Sequence, residues 1–190
     1  MRDLQRILVA GEGGQGIQVL SKTLATAGYL SGKKISFVPN YGIEQRGGVS
    51  LAFVQISNTE IGFPKFGYAD ILVVLAERAI PRIIEYLKED TVLIYDPELI
   101  SNDSIKDLKV KKVPILALAM AKEQLIGKVF NVIVLGFLAS LLGIREKDVK
   151  KALEEGLGAK YKKKPELKHF NERAVEIGFE ENKEKEALNV

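Results

Sequence analysis

The chain is 190 residues long, with a net charge of +3, 46% hydrophobic and 28% charged residues, no cysteine and a single histidine, His169. That balance is of a folded protein with one well-buried domain, and its charge is too evenly mixed for a dedicated nucleic-acid binder. The missing thiols exclude disulfides, cysteine-held iron–sulfur clusters, thiolate zinc sites and cysteine nucleophiles, and no G-x-S-x-G elbow accompanies His169. No apolar run reaches the ~18 residues of a membrane helix. The charged N-terminus does not read as a secretory signal, so the expected location is cytoplasmic, with no membrane or nucleic-acid partner.

In chain order, "LQRILVA" (4–10) reads as a first strand stopping at Gly11. Ile17, Leu20, Leu24 and Ala27 recur at helical spacing from Gln15 to about Tyr29, and Gly28 and Gly32 end that helix. "KISFVPN" (34–40) and "VSLAFVQIS" (49–57) are strand-like and are separated by a glycine-containing loop, "YGIEQRGG" (41–48). Asp70 introduces the continuous apolar run "ILVVLA", the pattern of a strand covered on both faces. "ERAIPRIIEYLKED" is expected to be helical, with Pro81 in its first turn. "TVLIYD" and "VKKVPIL" are further strands.

From Ala117 the pattern is helical: "ALAMAKEQL", "NVIVLGFLASLLG" (131–143), "EKDVKKALEEG" and "PELKHFNERAVEIG" (165–178). The expectation is an α/β fold. It has an open, mostly parallel Rossmann-like sheet flanked by helices, with a helical C-terminal portion packed on it. Residues 1–178 would form a single domain and 179–190 a charged, frayed tail.

Gly11-Glu12-Gly13-Gly14-Gln15-Gly16 satisfies G-x-G-x-x-G between a strand and a helix. Such a loop exposes backbone N–H groups at the positive end of a helix dipole, and without Cβ atoms it lets a ligand or another chain come close. It reads equally as a tight turn needed only for packing. A dinucleotide site also needs an acidic residue at the end of strand 2 for the ribose, yet that strand ends "FVPN" and the nearest carboxylate is Glu44 in the next loop. No Walker lysine is present.

The second loop presents Glu44, Gln45 and Arg46 between Gly42 and the pair Gly47–Gly48. Arg46 has the forked geometry for a carboxylate or phosphate, the alternative being an internal pair with Glu44. Loops leaving the carboxyl ends of strands 1 and 2 would flank one crevice, which argues for a site or an interface.

The two loops "GEGGQG" and "YGIEQRGG", followed by "VSLAFVQIS", resemble the gamma subunits of the 2-oxoacid:ferredoxin oxidoreductases. The resemblance extends to "YADILVVL" with Asp70, to "NVIVLGFLASLLG" with Asn131 and Gly136, and to "PELKHFNERAVEIG" with Asn171, Ala174 and Gly178. Ile43 departs from the more usual proline-like residue there and leaves Tyr41, Glu44, Arg46, Gly47 and Gly48 in place. The Pro-Glu-Leu start of the last helix is closest to the 2-oxoglutarate type, beside the pyruvate and 2-ketoisovalerate types.

The resemblance implies a reaction in which a 2-oxoacid, coenzyme A and oxidised ferredoxin give acyl-CoA, carbon dioxide and reduced ferredoxin. It implies thiamine diphosphate, magnesium and iron–sulfur clusters in sister subunits, with no metal or tightly held cofactor and no catalytic residue on this chain. The implied partners are alpha and beta subunits and a ferredoxin-like delta subunit. The implied contact residues, for CoA or for a facing subunit, are Gly11, Gly13, Gly14, Gln15, Gly16, Tyr41, Glu44, Arg46, Gly47 and Gly48.

Three rivals stay open: the related beta-type subunit of indolepyruvate oxidoreductase, a free-standing oxidoreductase binding NAD or FAD on Gly11–Gly16, and a structural assembly subunit with no ligand of its own. The run "KYKKK" (160–164) reads as a solvated linker or as an attractor of CoA phosphates or an acidic ferredoxin. His169 reads as a surface or partly packed residue, and Asp70 and Asp96 as capping or turn residues.

Overall fold

The computed structural model describes residues 3–40 and 48–187. In chain order these form β1 (Leu4–Glu12), α1 (Ile17–Leu30), β2 (Lys34–Asn40), β3 (Val49–Ser57), β4 (Ile71–Val74), α2 (Ile80–Ile83) and β5 (Val92–Tyr95). They continue with α3 (Asn102–Ile105), β6 (Lys111–Pro114), α4 (Ala117–Gln124), α5 (Phe130–Leu141), α6 (Glu146–Lys163) and α7 (Pro165–Ala187).

The strands form one six-stranded sheet in the order β2-β3-β1-β4-β5-β6. β1, β4, β5 and β6 are parallel neighbours, whereas β3 runs antiparallel to both β1 and β2. The sheet is therefore mostly parallel, as expected, with β3 the one reversed strand. β2 and β3 are neighbours in the sheet and antiparallel, unlike the parallel pairs that follow.

The described chain groups into two compact units. One comprises Met1–Ser21 and Lys33–Leu116 and holds the sheet; the other comprises Lys22–Gly32 and Ala117–Val190 and is helical. In the first, Leu8, Ala10, Leu51, Phe53, Leu72, Val74 and Leu93 share a core that Ile83 joins from α2. Phe66 and Tyr86 meet the Phe53 ring edge-on at 5.2 and 5.3 Å, a favoured aromatic geometry.

At the amino-end rim, buried Asp70 accepts the Arg6 backbone N–H at 2.9 Å and lies 3.5 Å from both the Arg6 Nη1 and Lys88 Nζ cations. Both cations also lie over the Tyr68 ring. Asp70 is thus an ion-pair anchor, whereas Asp96 accepts the Glu98 N–H at 2.9 Å, as a turn residue does.

Three segments differ from the sequence expectation. Residues 77–86 are not one helix: a 3₁₀ turn at Glu77–Ala79, α2 and a second 3₁₀ turn at Ile84–Tyr86 follow one another. Pro81 sits in the first turn of α2, and the β-branched Ile83–Ile84 pair favours helix weakly. The lysines from 160 to 163 are the last turn of α6, placed favourably at the negative end of its dipole. The residues after 178 continue α7 to Ala187, because Phe179 and Asn182 are buried. Asn182 Nδ2 donates to Ser140 Oγ at 3.1 Å and to Glu186 Oε1 at 2.9 Å.

The helical unit is organised by α5, ten of whose twelve residues are buried, against α7. The helices cross so closely that a Cβ on Gly136 would meet the Val175 carbonyl oxygen, and one on Gly178 the Ile133 carbonyl oxygen. Buried Asn171 donates to the Tyr161 hydroxyl at 2.9 Å. Asp148, 6% exposed, accepts Arg145 Nε at 2.6 Å and Ser31 Oγ at 2.8 Å. Burial pushes its carboxyl upward, but the hydrogen bonds from Arg145 and Ser31 outweigh it and leave the group below its usual range.

Gly136→Ala and Gly178→Ala are each expected to cost about 1–3 kcal/mol of stability, since the obstacle is backbone and cannot rotate away. Gly156→Ala, exposed on α6 with open space at its Cβ, should instead stabilise by about 0.5–1 kcal/mol. Denaturant titration of the three variants checks the contrast. Because the Asp148 carboxyl is held low, its contribution is present at neutral pH and is lost as pH falls through the carboxylate range. Asp148→Asn should therefore melt lower at pH 7 and show a flatter loss of Tm on acidification.

Candidate functional site

The site begins with register. Glu12 at the end of β1 lies opposite Val49, and Asn40 at the end of β2 lies opposite Leu51. Val74, ending β4, is paired with Ala10. The carboxyl ends of β1, β2 and β4 thus share one rim with the start of β3. The next strands after β1 lie on one side of it and β4 lies on the other, so β1/β4 is the topological switch point, where open α/β sheets place their ligands.

The first glycine loop is built around one side chain. Gln15 Oε1 accepts the Glu12 N–H at 2.7 Å, and Gln15 Nε2 donates to the Leu75 carbonyl at 2.7 Å, joining the ends of β1 and β4. Gly11 makes room for it, since a Cβ there would lie 2.5 Å from Gln15 Oε1 and 2.6 Å from Ile17 Cδ1. Gly14 and Gly16 have φ of 109° and 77°, backbone that a side chain would strain. Gly13 and Gly14 are exposed.

The second loop is tied to the first by its end. The Gly13 N–H donates to the carbonyl of Gly48 at 3.0 Å, and Gly48 itself is buried. From the first turn of α1, Gln18 Nε2 donates to Ser50 Oγ and to the Leu51 carbonyl, both at 2.9 Å. A carbonyl can only accept, so this fixes the orientation of the Gln18 amide. Its Oε1 is buried without a hydrogen-bond partner among the described residues. Of the sequence-selected residues, Gly11, Gly13, Gly14, Gln15, Gly16 and Gly48 thus come together, while Tyr41, Glu44, Arg46 and Gly47 lie outside the described residues.

Beside Gln15 the rim opens into a groove of about 560 Å³, lined by Glu12, Gln15, Leu75, Glu77, Arg78 and Leu99 among others. Arg78 Nε stands 3.7 Å from Glu12 Oε1, with both side chains substantially exposed. The Glu77 carboxylate accepts the Ser101 N–H at 2.8 Å and Ser104 Oγ at 2.9 Å, which hold its carboxyl below the usual range. Sequence reasoning took Glu77 and Arg78 only as the start of a helix. The available signal was a charged pair immediately after a buried apolar run, at a strand's carboxyl end.

β2 ends in Asn40, not a carboxylate, and β3 stands between it and β1, whereas a dinucleotide fold sets the strand with the ribose-binding acid beside the first strand. Among the described residues no cluster of three or more His, Asp or Glu side chains is arranged to hold a metal. No described helix is long and apolar enough to cross a membrane.

An α/β sheet with a glycine-built rim at its switch point defines the class, and comparison with known proteins defines the family. Residues 6–181 match the family described as pyruvate ferredoxin/flavodoxin oxidoreductase. The chain belongs to that family. It is 34% identical over 146 residues to the 2-oxoglutarate synthase subunit KorC of Methanocaldococcus jannaschii, covering 76% of this chain and 78% of the relative.

Two solved structures are similar to nearly the whole of this chain. The gamma subunit of a keto/oxoacid ferredoxin oxidoreductase from Geobacter sulfurreducens PCA matches at TM-score 0.72 and 26% identity, over 94% of this chain and 98% of that one. The 2-oxoglutarate:ferredoxin oxidoreductase of Magnetococcus marinus, solved with 2-oxoglutarate, coenzyme A and succinyl-CoA, matches at TM-score 0.83 and 25% identity. There 96% of this chain is covered but only 32% of the other. The chain likewise spans 31% and 36% of the ketoisovalerate oxidoreductase VorA subunits of two Methanothermobacter species.

Gln15→Ala removes two hydrogen bonds that join β1 to β4 and is expected to cost about 1–3 kcal/mol. Gly11→Ala displaces the same amide and should cost a comparable ~1–3 kcal/mol. Because both act through one clamp, the double variant should fall well short of the sum in a denaturant-based cycle.

Proposed function

We propose that this chain is the gamma-type subunit of a 2-oxoacid:ferredoxin oxidoreductase. In that role it supports CoA-dependent oxidative decarboxylation of a 2-oxoacid to acyl-CoA and carbon dioxide, with reduction of ferredoxin. The observation that carries the reading is the carboxyl rim beside β1, where the Gly13–Gly48 hydrogen bond joins the Gly11–Gly16 loop to the residue that precedes β3. Family membership over residues 6–181 supports the reaction class. The higher identity to the KorC relative, 34% against 28% for a pyruvate/ketoisovalerate gamma subunit, supports the 2-oxoglutarate type.

The chain works through sister subunits. It has no cysteine to ligate an iron–sulfur cluster, and in this reading alpha, beta and ferredoxin-like delta partners carry the clusters together with thiamine diphosphate and magnesium. The glycine rim and Arg46 meet either CoA or the facing subunit, and a cytoplasmic location follows from those partners. A free-standing NAD or FAD enzyme is disfavoured by the strand order, in which β2 ends without a carboxylate and is separated from β1 by β3.

Co-expression with candidate alpha and beta subunits tests the proposal. The expected outcome is a complex that reduces ferredoxin only when both 2-oxoacid and CoA are supplied. An Arg46→Ala complex is expected to raise KM for CoA about tenfold, the effect of losing one charge-assisted contact. A chain that purifies alone and binds NADH or flavin saturably would overturn the assignment.

A further inference from the structure

We infer that the loop between β3 and β4 is a docking point for a sister subunit, with Phe63 as the anchor that enters an apolar socket rimmed by carboxylates on that partner. This rests on the reading that the chain works inside an oxidoreductase complex; it adds a second contact surface, away from the glycine rim. β3 ends with Ser57 opposite Leu4 at the start of β1, so the loop leaves from the rim opposite the glycine loops.

An aromatic side chain is held out in water here. Phe63 is 75% exposed, the highest value among the large hydrophobic side chains described. Phe66, three residues on, instead turns inward to meet the Phe53 ring at 5.2 Å. The backbone that carries Phe63 is nonetheless fixed. Gln55 of β3, only 3% exposed, donates through Nε2 to the Phe63 carbonyl at 2.6 Å. Ser36 Oγ of β2 donates to the Pro64 carbonyl at 3.1 Å. Ser36 and Gln55 are direct partners across the two strands, so they rise from one face of the sheet and hold two successive carbonyls.

Pro64 also confines Phe63 to extended backbone. An amide in the middle of β3 carries the cost of a buried polar group, and its donated hydrogen bond fixes this tip. A ring presented on preordered backbone loses little freedom when a partner buries it, which is the property of binding anchors.

Charge selects the partner. Glu60, the one acidic residue between Asn58 and Ala69, is paired with Lys34 Nζ at 2.8 Å. Lys33 Nζ donates to Asn58 Oδ1 at 2.6 Å, and exposed Lys65 lies over the Phe53 ring at 5.3 Å. Lys33 and Lys65 thus leave the loop and its base with an excess of positive charge. That excess complements a carboxylate-rimmed surface and repels the same loop of a second copy.

The test titrates the full chain onto the co-expressed partner subunits and reads affinity and association rate, beside the melting temperature of the free chain. Phe63→Ala should melt with the wild type, because the ring is exposed, yet bind the partners about thirtyfold or more weakly. Phe63→Leu should recover part of the affinity, and Lys65→Glu should slow association at low salt. Wild-type affinity of Phe63→Ala, in a complex that still assembles and turns over with CoA, would overturn the docking point alone. Self-association of the free chain that Phe63→Ala abolishes, with partner binding unchanged, would assign the loop to a second copy and overturn it likewise. A wild-type chain that joins no partner subunit would remove the underlying reading, and the docking point with it.

Discussion

One amide organises the functional end of this molecule. Gln15 accepts from the Glu12 backbone and donates to the Leu75 carbonyl, so a single side chain sets where the ends of β1 and β4 stand. It fits because Gly11 carries no Cβ. The Gly13 N–H is then aimed at the Gly48 carbonyl, and Gln18 holds the start of β3 alongside. Replacing Gly11 is thus a packing change, whereas Gly14 and Gly16 are required by backbone at positive φ.

The two rims of the sheet are treated differently. At the amino rim, Asp70, Arg6, Lys88 and Tyr68 close the sheet with charge and aromatic contacts. At the carboxyl rim, exposed Gly13 and Gly14 and the Arg78–Glu12 groove face solvent. The carboxyl rim is the one at which open α/β sheets bind their ligands. The helical unit rests on another principle, the close backbone approach of α5 and α7 at Gly136 and Gly178. Those two glycines belong to stability.

Much of this was legible in the sequence. The boundaries of β2 and β3 were read as they stand, because β-branched runs flanked by Gly, Pro and Asn leave little choice. The glycine loop was placed between strand and helix correctly, and the family followed from both loops together. What escaped was tertiary in origin. The charged residues after 178 looked like a tail, because burial of Phe179 and Asn182 depends on α5, far away in sequence. Residues 77–86 had a helical pattern, but β-branched residues after Pro81 broke it into short turns. Arg78 was invisible as a site residue because only the strand order shows that β4 lies next to β1.

The central claim is that the glycine rim is a contact surface for something outside the chain. Hydrogen exchange across residues 11–18, measured on the chain alone, in the assembled complex and in the complex with CoA, tests it most directly. The account predicts slower exchange in this segment on assembly or on CoA addition, with the α5–α7 crossing unchanged by CoA. Equal exchange of the segment in all three states would contradict it.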